Sequence, residues 1–155
     1  KKSVLWILDR VVIASALGAV FIRIGNFFNS EMIGKVAGND FPLAVIFKQL
    51  DTIPRHPGQL YEAFGYVFVF LILFFLYWKT NKSSQTGFLF GLFLVLLMSV
   101  RLVVEQFKIA QIDSREDWIF GLNTGQVLSI PFVLCGLYFM FLYKPKKAWL
   151  KTKNN

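Results

Sequence analysis

A guanidinium, two carboxamides and a carboxylate fall within nine residues where an apolar run ends: Arg23, Asn26, Asn29 and Glu31 follow the stretch from Val11 to Ile22. An arginine at mid-bilayer costs about 2.5–3.5 kcal/mol on insertion scales, and polar groups at that depth usually line a site. Arginine is also the side chain best shaped to hold a phosphate through two parallel hydrogen bonds. Arg23 is therefore either an anion clamp or a side chain snorkelling from a helix end, and the carboxamides beside it favour the clamp. On a helix, Arg23, Asn26 and Ser30 share a face. Glu31 is placed to orient an arginine, to act as a base or to pair structurally. Gly25 and Gly34 suit close backbone approach or a special turn.

Three more polar sets sit at the ends of apolar runs. His56, Gln59, Tyr61 and Glu62 open one run, with Pro57 suited to the first helical turn. His56 is the only histidine; it suits general-base work or a hydrogen bond at a helix start. Glu62 enters the membrane and must be paired, protonated or in water, with Arg23 and Arg101 the candidate partners. Arg101 and Glu105 are four residues apart in the weaker order for an intrahelical pair, yet the glutamate is placed to orient the arginine. Lys108 reads as a lysine at the membrane edge. Gln126 opens the last run, with Asn123 or Thr124 as the helix cap.

The elements that must carry these groups are apolar helices. The chain has 155 residues, 55% hydrophobic and 17% aromatic, with a mean hydropathy of +0.54. Soluble domains average about 45–50% apolar residues. Four runs approach the roughly 20 residues that cross a bilayer: Val4 to Ile22, Leu60 to Trp78, Gly87 to Val104 and Gln126 to Tyr143. The first is the least regular, because Asp9 and Arg10 interrupt it; a partly interfacial or broken helix is the alternative. Gly18 and Ser15 suggest close helix packing there. The expected fold is an all-α polytopic bundle of about four transmembrane helices, one membrane-embedded domain over residues 1–155. The stretch from Ala37 to Pro54 reads as an external loop or short interfacial helix. Cys135 reads as a small buried hydrophobe.

Charge sets the orientation. The net charge is +8, but the bases form no stripe of the kind that binds nucleic acid. They cluster where the positive-inside rule places them: Lys1 and Lys2, Lys79 and Lys82, and the five lysines of the tail over 144–155. These regions are expected to be cytoplasmic, and the connections from Arg23 to Gln59 and from Gln106 to Gly125 face outward. Trp6, Tyr77, Trp78, Tyr143 and Trp149 then suit the inner aromatic belt. Arg101 lies about 21 Å from the inner end of its span at 1.5 Å per residue. Arg23, Arg101, the His56–Glu62 set and Gln126 should therefore meet toward the outer leaflet.

At these residues the chain resembles the bacterial prolipoprotein diacylglyceryl transferases. The family signature Gly-Arg-x-Gly-Asn-Phe-(apolar)-Asn-x-Glu-x-x-Gly is similar to Ile22 through Gly34, with only its first glycine replaced, by Ile22. The family's His-Pro-x-Gln-x-Tyr-Glu segment resembles His56 through Glu62. Its later arginine with a glutamate four residues on looks like Arg101 and Glu105, and its Gly-Gln pair looks like Gly125-Gln126. The family's earlier helices carry a His-Gly-Gly segment and a tyrosine that nothing here matches. The resemblance covers what looks like the C-terminal part of a seven-helix enzyme, and the start Lys1-Lys2-Ser3, without Met or a signal-peptide pattern, fits a fragment whose earlier helices are missing.

The resemblance implies transfer of a diacylglyceryl group from phosphatidylglycerol to the lipobox cysteine thiol of a prolipoprotein, in the bacterial inner membrane. The thiolate attacks the glyceryl C3 and glycerol 1-phosphate leaves. It implies that Arg23 binds the phosphate, with Asn26 as a further donor and Arg101 as second clamp or thiolate stabiliser. Glu31 and Glu105 would orient them. Asn29, Gly34, His56, Gln59, Tyr61, Glu62 and Gln126 would line the substrate site. No metal and no organic cofactor is implied. An anion-binding transporter would explain the two arginines but not the four blocks in family order; an inactive truncated transferase is the third reading.

Overall fold

The computed structural model describes residues 3–38, 40–109, 122 and 124–143, apart from the side chain of residue 83. Four helices dominate: α1 (Val4–Phe28), α2 (Gly58–Lys79), α3 (Phe88–Val104) and α4 (Thr124–Leu137). A 3-10 turn (Glu105–Phe107) extends α3, and a π-helical turn (Tyr138–Leu142) extends α4. With these turns the four spans run 25, 22, 20 and 19 residues, each long and apolar enough to cross a membrane. Helix α1 is unbroken through Asp9 and Arg10. It also continues six residues past Ile22, so Arg23 and Asn26 are helical while Ser30 lies beyond the end.

The helices run up and down. Helix α3 is central, packing on α1, α2 and α4, while α4 rests mainly on α3. On α1 and α2 the buried positions form a stripe at three- and four-residue steps. On α1 it runs Asp9, Val12, Ala16, Val20; on α2 it runs Gln59, Glu62, Tyr66, Val69, Leu73. The middle of each stripe is apolar, and Val12, Ala16, Val69, Leu73 and Leu89 pack together. The outward faces carry large hydrophobics such as Phe21, Phe68, Phe75 and Phe132, the pattern of a bundle solvated by lipid. Gly18 and Ser15 do not make the helix contacts expected of them. Nothing approaches the Gly18 Cβ position within 4 Å, and Ser15 is exposed. The close approach is between α3 and α4, where a Cβ on Gly91 would stand 2.6 Å from the Gly136 carbonyl oxygen and the reverse. Cys135 is exposed rather than buried, because it lies on the face of α4 turned away from α3.

One end of the bundle is fastened by Asp9. Its carboxylate accepts from the Gly87 N–H at 2.6 Å and the Phe90 N–H at 2.9 Å, capping α3 from another helix. Arg10 beside it donates to the Trp6 carbonyl at 2.7 Å and stacks on the Trp6 ring at 3.4 Å. Tyr77, Tyr143 and Trp6 gather at this same end.

The other end is closed by extended chain. The stretch from Ala37 to Pro54 holds turns and half of a small sheet rather than a helix, with β1 (Val45–Ile46) antiparallel to β2 (Pro54–Arg55). Gly34 bridges Lys108, and Val36 bridges Arg55. The chain leaving α1 is thereby laced between the chain entering α2 and the chain leaving α3. Gly34 is forced by this lacing: a Cβ there would meet the His56 carbonyl oxygen at 2.0 Å. Among the described residues the positive φ values belong to Ser30 (55°), Met32 (53°) and Gly87 (90°), not to Gly25 or Gly34. The expected cap Asn123, the acidic loop with Asp113, Glu116 and Asp117, and the tail over 144–155 lie outside the described residues.

Candidate active site

Three of the four helices deliver a charged group to the laced end. Arg23 stands one step beyond Val20 on the α1 stripe, and Glu62 occupies the α2 stripe itself. The last turn of α3 is followed by Glu105 and Lys108. Arg23 Nε lies 2.9 Å from Glu62 Oε2, and Lys108 Nζ lies 2.8 Å from Glu62 Oε1. Glu62 is fully buried, and Arg23 and Lys108 are 12% and 3% exposed at the side chain. One carboxylate is thus shared by two cations, with Glu105 a further 3.7 Å from Lys108. Of its two candidate partners, Glu62 takes Arg23 and not Arg101. Lys108 is no membrane-edge lysine: it is buried beneath the laced strands.

The block after Arg23 folds back on the guanidinium. With the Asn26 amide oriented to satisfy both its ends, its Oδ1 accepts from Arg23 Nη1 at 3.2 Å. Its Nδ2 then donates to the Ile22 carbonyl at 3.2 Å and to Glu31 Oε2 at 3.3 Å. Glu31 orients Arg23 only at second hand, through Asn26. Arg23 Nη1 also meets Met32 Sδ at 3.2 Å, and Tyr66 is buried on the same α2 stripe, four residues past Glu62. Gln59 Nε2 donates to the Glu31 carbonyl at 2.5 Å, tying α2 to the turn after α1. Asn29 caps α1 through its backbone, and its side chain is exposed.

Arg101 faces the same region from α3, close enough for its charge to act on Tyr66. Its Nε is buried and makes no hydrogen bond among the described residues. No ion pair joins it to Glu105; that carboxylate turns toward Gly125 on α4, occupying the space a Cβ there would need. Gln126 is buried at the start of α4 and donates to the Leu102 carbonyl at 3.3 Å. Thr124 begins α4, but its hydroxyl is buried without a hydrogen bond. His56 sits to one side, in a ring of Phe41, Tyr61 and Phe107, with Nδ1 3.2 Å from the Tyr61 hydroxyl. Among the described residues no group of three His, Cys, Asp or Glu could hold a metal ion.

This end of the bundle is therefore a buried cluster with two arginines, one lysine and two glutamates, flanked by carboxamides. The pattern of the prolipoprotein diacylglyceryl transferase family matches residues 1–142. The chain belongs to that family. Among its relatives, proteins named phosphatidylglycerol–prolipoprotein diacylglyceryl transferase come from Tolumonas auensis, Bacteroides fragilis and Chloroherpeton thalassium. The first is 47% identical over 144 residues, covering 93% of this chain and 54% of the relative. The second is 44% identical over 148 residues, covering 96% and 52%. The third is 43% identical over 141 residues, covering 91% and 51%. The chain spans about half the length of the curated relatives it matches.

Within this transferase family member, sequence reasoning missed two members of the cluster. Lys108 has no apolar periodicity around it to announce burial. Tyr66 had a usable signal: it lies four residues after Glu62 on the α2 stripe, so the buried face predicts it beside the ion pair.

Proposed function

We propose that this chain carries the phosphate-binding part of a diacylglyceryl transferase acting on phosphatidylglycerol and the lipobox cysteine of a prolipoprotein. The observation that carries the reading is the state of Arg23. Glu62 holds it by Nε, while its terminal nitrogen Nη1 meets two neutral acceptors, the Asn26 carboxamide and the Met32 thioether. An anionic phosphodiester is a far stronger acceptor than either and displaces them. Arg101, with a buried Nε that has no partner among the described residues, supplies the second cation. Attack of the cysteine thiolate on the glyceryl C3 places growing charge on the departing phosphate ester. Two fixed guanidiniums in a low-dielectric site stabilise that charge without having to reorganise. Glu31, Asn26 and Glu62 position Arg23. Glu105, Gln59, Gln126 and Gly34 shape the walls, while His56, Tyr61 and Asn29 border the site toward the surface.

The same reading places the protein in the bacterial cytoplasmic membrane, with the Glu62 end toward the outer leaflet and the lysine tail in the cytoplasm. That orientation rests on the lysines at the Asp9 end, and it puts the site where a translocated prolipoprotein would reach it. The test is a transfer assay with phosphatidylglycerol and a lipobox peptide, run on this chain and on a version extended upstream in the same reading frame. Diacylglyceryl peptide from either supports the assignment. No product from either, with anion flux in liposomes instead, overturns it in favour of a transporter.

A further inference from the structure

Among the described residues, Lys108 is the one buried cation for which neither the motif blocks nor the transfer chemistry supplies a role. Three observations converge on it. Its backbone bridges Gly34 of the strand leaving α1. Its aliphatic chain lies over Gly58, so close that a Cβ there would stand 3.2 Å from Lys108 Cγ. Its ammonium sits 2.8 Å from Glu62 Oε1 and 3.7 Å from Glu105 Oε2. The backbone bridge to Gly34 fixes the lysine's start and the missing side chain of Gly58 clears its path, which ends on the carboxylate that also holds Arg23.

We propose that Lys108 is a positioning residue for the phosphate clamp, acting on Arg23 through Glu62; this rests on the reading of Arg23 given above. A carboxylate facing one arginine prefers to take the guanidinium two-pronged, oxygen to nitrogen twice. Here it does not. Lys108 draws Oε1 to itself at 2.8 Å, and Arg23 approaches Glu62 through Nε at 2.9 Å from Oε2, an ion pair without the aligned two-pronged hydrogen bonds. Nη1 stays on the weak neutral acceptors Asn26 and Met32, which a phosphodiester replaces. Without Lys108, the buried Glu62 has one cation in reach and closes both oxygens on it, consuming the edge that would meet the lipid phosphate. The lysine therefore determines how much of Arg23 is available, although it need not touch the substrate.

The test uses the complete reading frame that carries this chain, solubilised with mixed phosphatidylglycerol and phosphatidylcholine. Co-purified lipid is read by mass spectrometry and transfer to a lipobox peptide by KM and kcat. Lys108→Met should raise the KM for phosphatidylglycerol roughly ten- to a hundredfold and erase the preference for retained phosphatidylglycerol. Lys108→Arg, which restores a cation to Glu62, should recover most of both. In a background carrying Arg23→Ala, Lys108→Met should change lipid retention no further, a non-additivity that a purely structural lysine would not show. If Lys108→Met keeps the wild-type preference, or if its loss adds to that of Arg23→Ala, the relay is wrong while the functional reading stands. If the wild type shows neither transfer nor preference, the functional reading fails and the relay with it. Should Lys108→Met not fold, Lys108→Arg alone decides. Near-wild-type KM supports the relay, and a folded Lys108→Arg with no lipid preference overturns it.

Discussion

Asp9 and Glu62 are both carboxylates buried on the core stripe of a membrane-spanning helix, at opposite ends of one bundle. Asp9 is satisfied by main chain, through two N–H groups at the start of α3. Glu62 is satisfied by side chains, through Arg23 and Lys108 from two other segments. The main-chain solution is closed, because each N–H has one proton to give and gives it to Asp9. The side-chain solution is open, because Arg23 keeps further donors and Lys108 keeps two more protons after pairing. A buried acid held by backbone fastens helices; a buried acid held by cations arms them for an anion.

The largest effects should come from breaking the open end. Arg23→Ala should abolish transfer while the protein still inserts, since the apolar spans are untouched; membrane fractionation alongside the assay checks both halves. Glu62→Gln leaves two buried cations without their shared counter-charge. Removing one partner of a buried pair costs about 3–5 kcal/mol, so thermal unfolding in detergent should shift down sharply and transfer should fall with it. Arg101→Lys keeps charge but replaces a planar fork with a point charge, and should lower kcat by roughly ten- to a hundredfold without changing the unfolding temperature much.

Breaking the closed end should look different. Asp9→Asn removes a charged acceptor from the α3 terminus, worth about 1–3 kcal/mol. The unfolding temperature should drop by several degrees while the KM for phosphatidylglycerol stays at the wild-type value. A KM shift as large as that of Arg101→Lys would erase the distinction between the two ends.

The smallest effect lies outside the membrane. Arg55 donates to Asp51 at 2.5 and 3.2 Å and Ile53 N–H adds a third bond, holding the Asp51 carboxyl below its ordinary range. A carboxyl depressed by folding contributes stability that is complete above its unfolded value, about 3.9, and is lost as pH falls through the folded value. Asp51→Asn should therefore lower the neutral-pH unfolding temperature slightly, with the difference from wild type vanishing as pH falls. Unfolding followed from pH 7 down to pH 3 checks this.

The parts of the molecule carried by composition and period were legible in the sequence. Four apolar runs are enough for four spans, and the alternation of lysine-rich and mixed loops is enough to bring Arg23, Glu62 and Arg101 to one end. What was not legible depended on contacts remote in sequence. Asp9 looked like a break in α1 because its partners, Gly87 and Phe90, are nearly eighty residues away. Helix α1 was cut short at Ile22 because hydropathy falls where Arg23 begins, yet backbone hydrogen bonding carries on to Phe28. Lys108 was placed at the membrane edge because its burial is made by remote segments, the Gly34 strand it bridges and Gly58 at the start of α2. Tyr66 and the stripe it shares with Glu62 were recoverable: spacings of four, three and four from Glu62 to Leu73 mark one face, and a charge on a buried face demands a partner.

The central claim is that function belongs to the open end and fastening to the closed one. The most direct measurement is transfer of diacylglyceryl from phosphatidylglycerol to a lipobox peptide by Arg23→Ala and Asp9→Asn side by side, both confirmed as membrane-inserted. The account predicts no product from Arg23→Ala and wild-type KM from Asp9→Asn. Near-wild-type turnover by Arg23→Ala would contradict it.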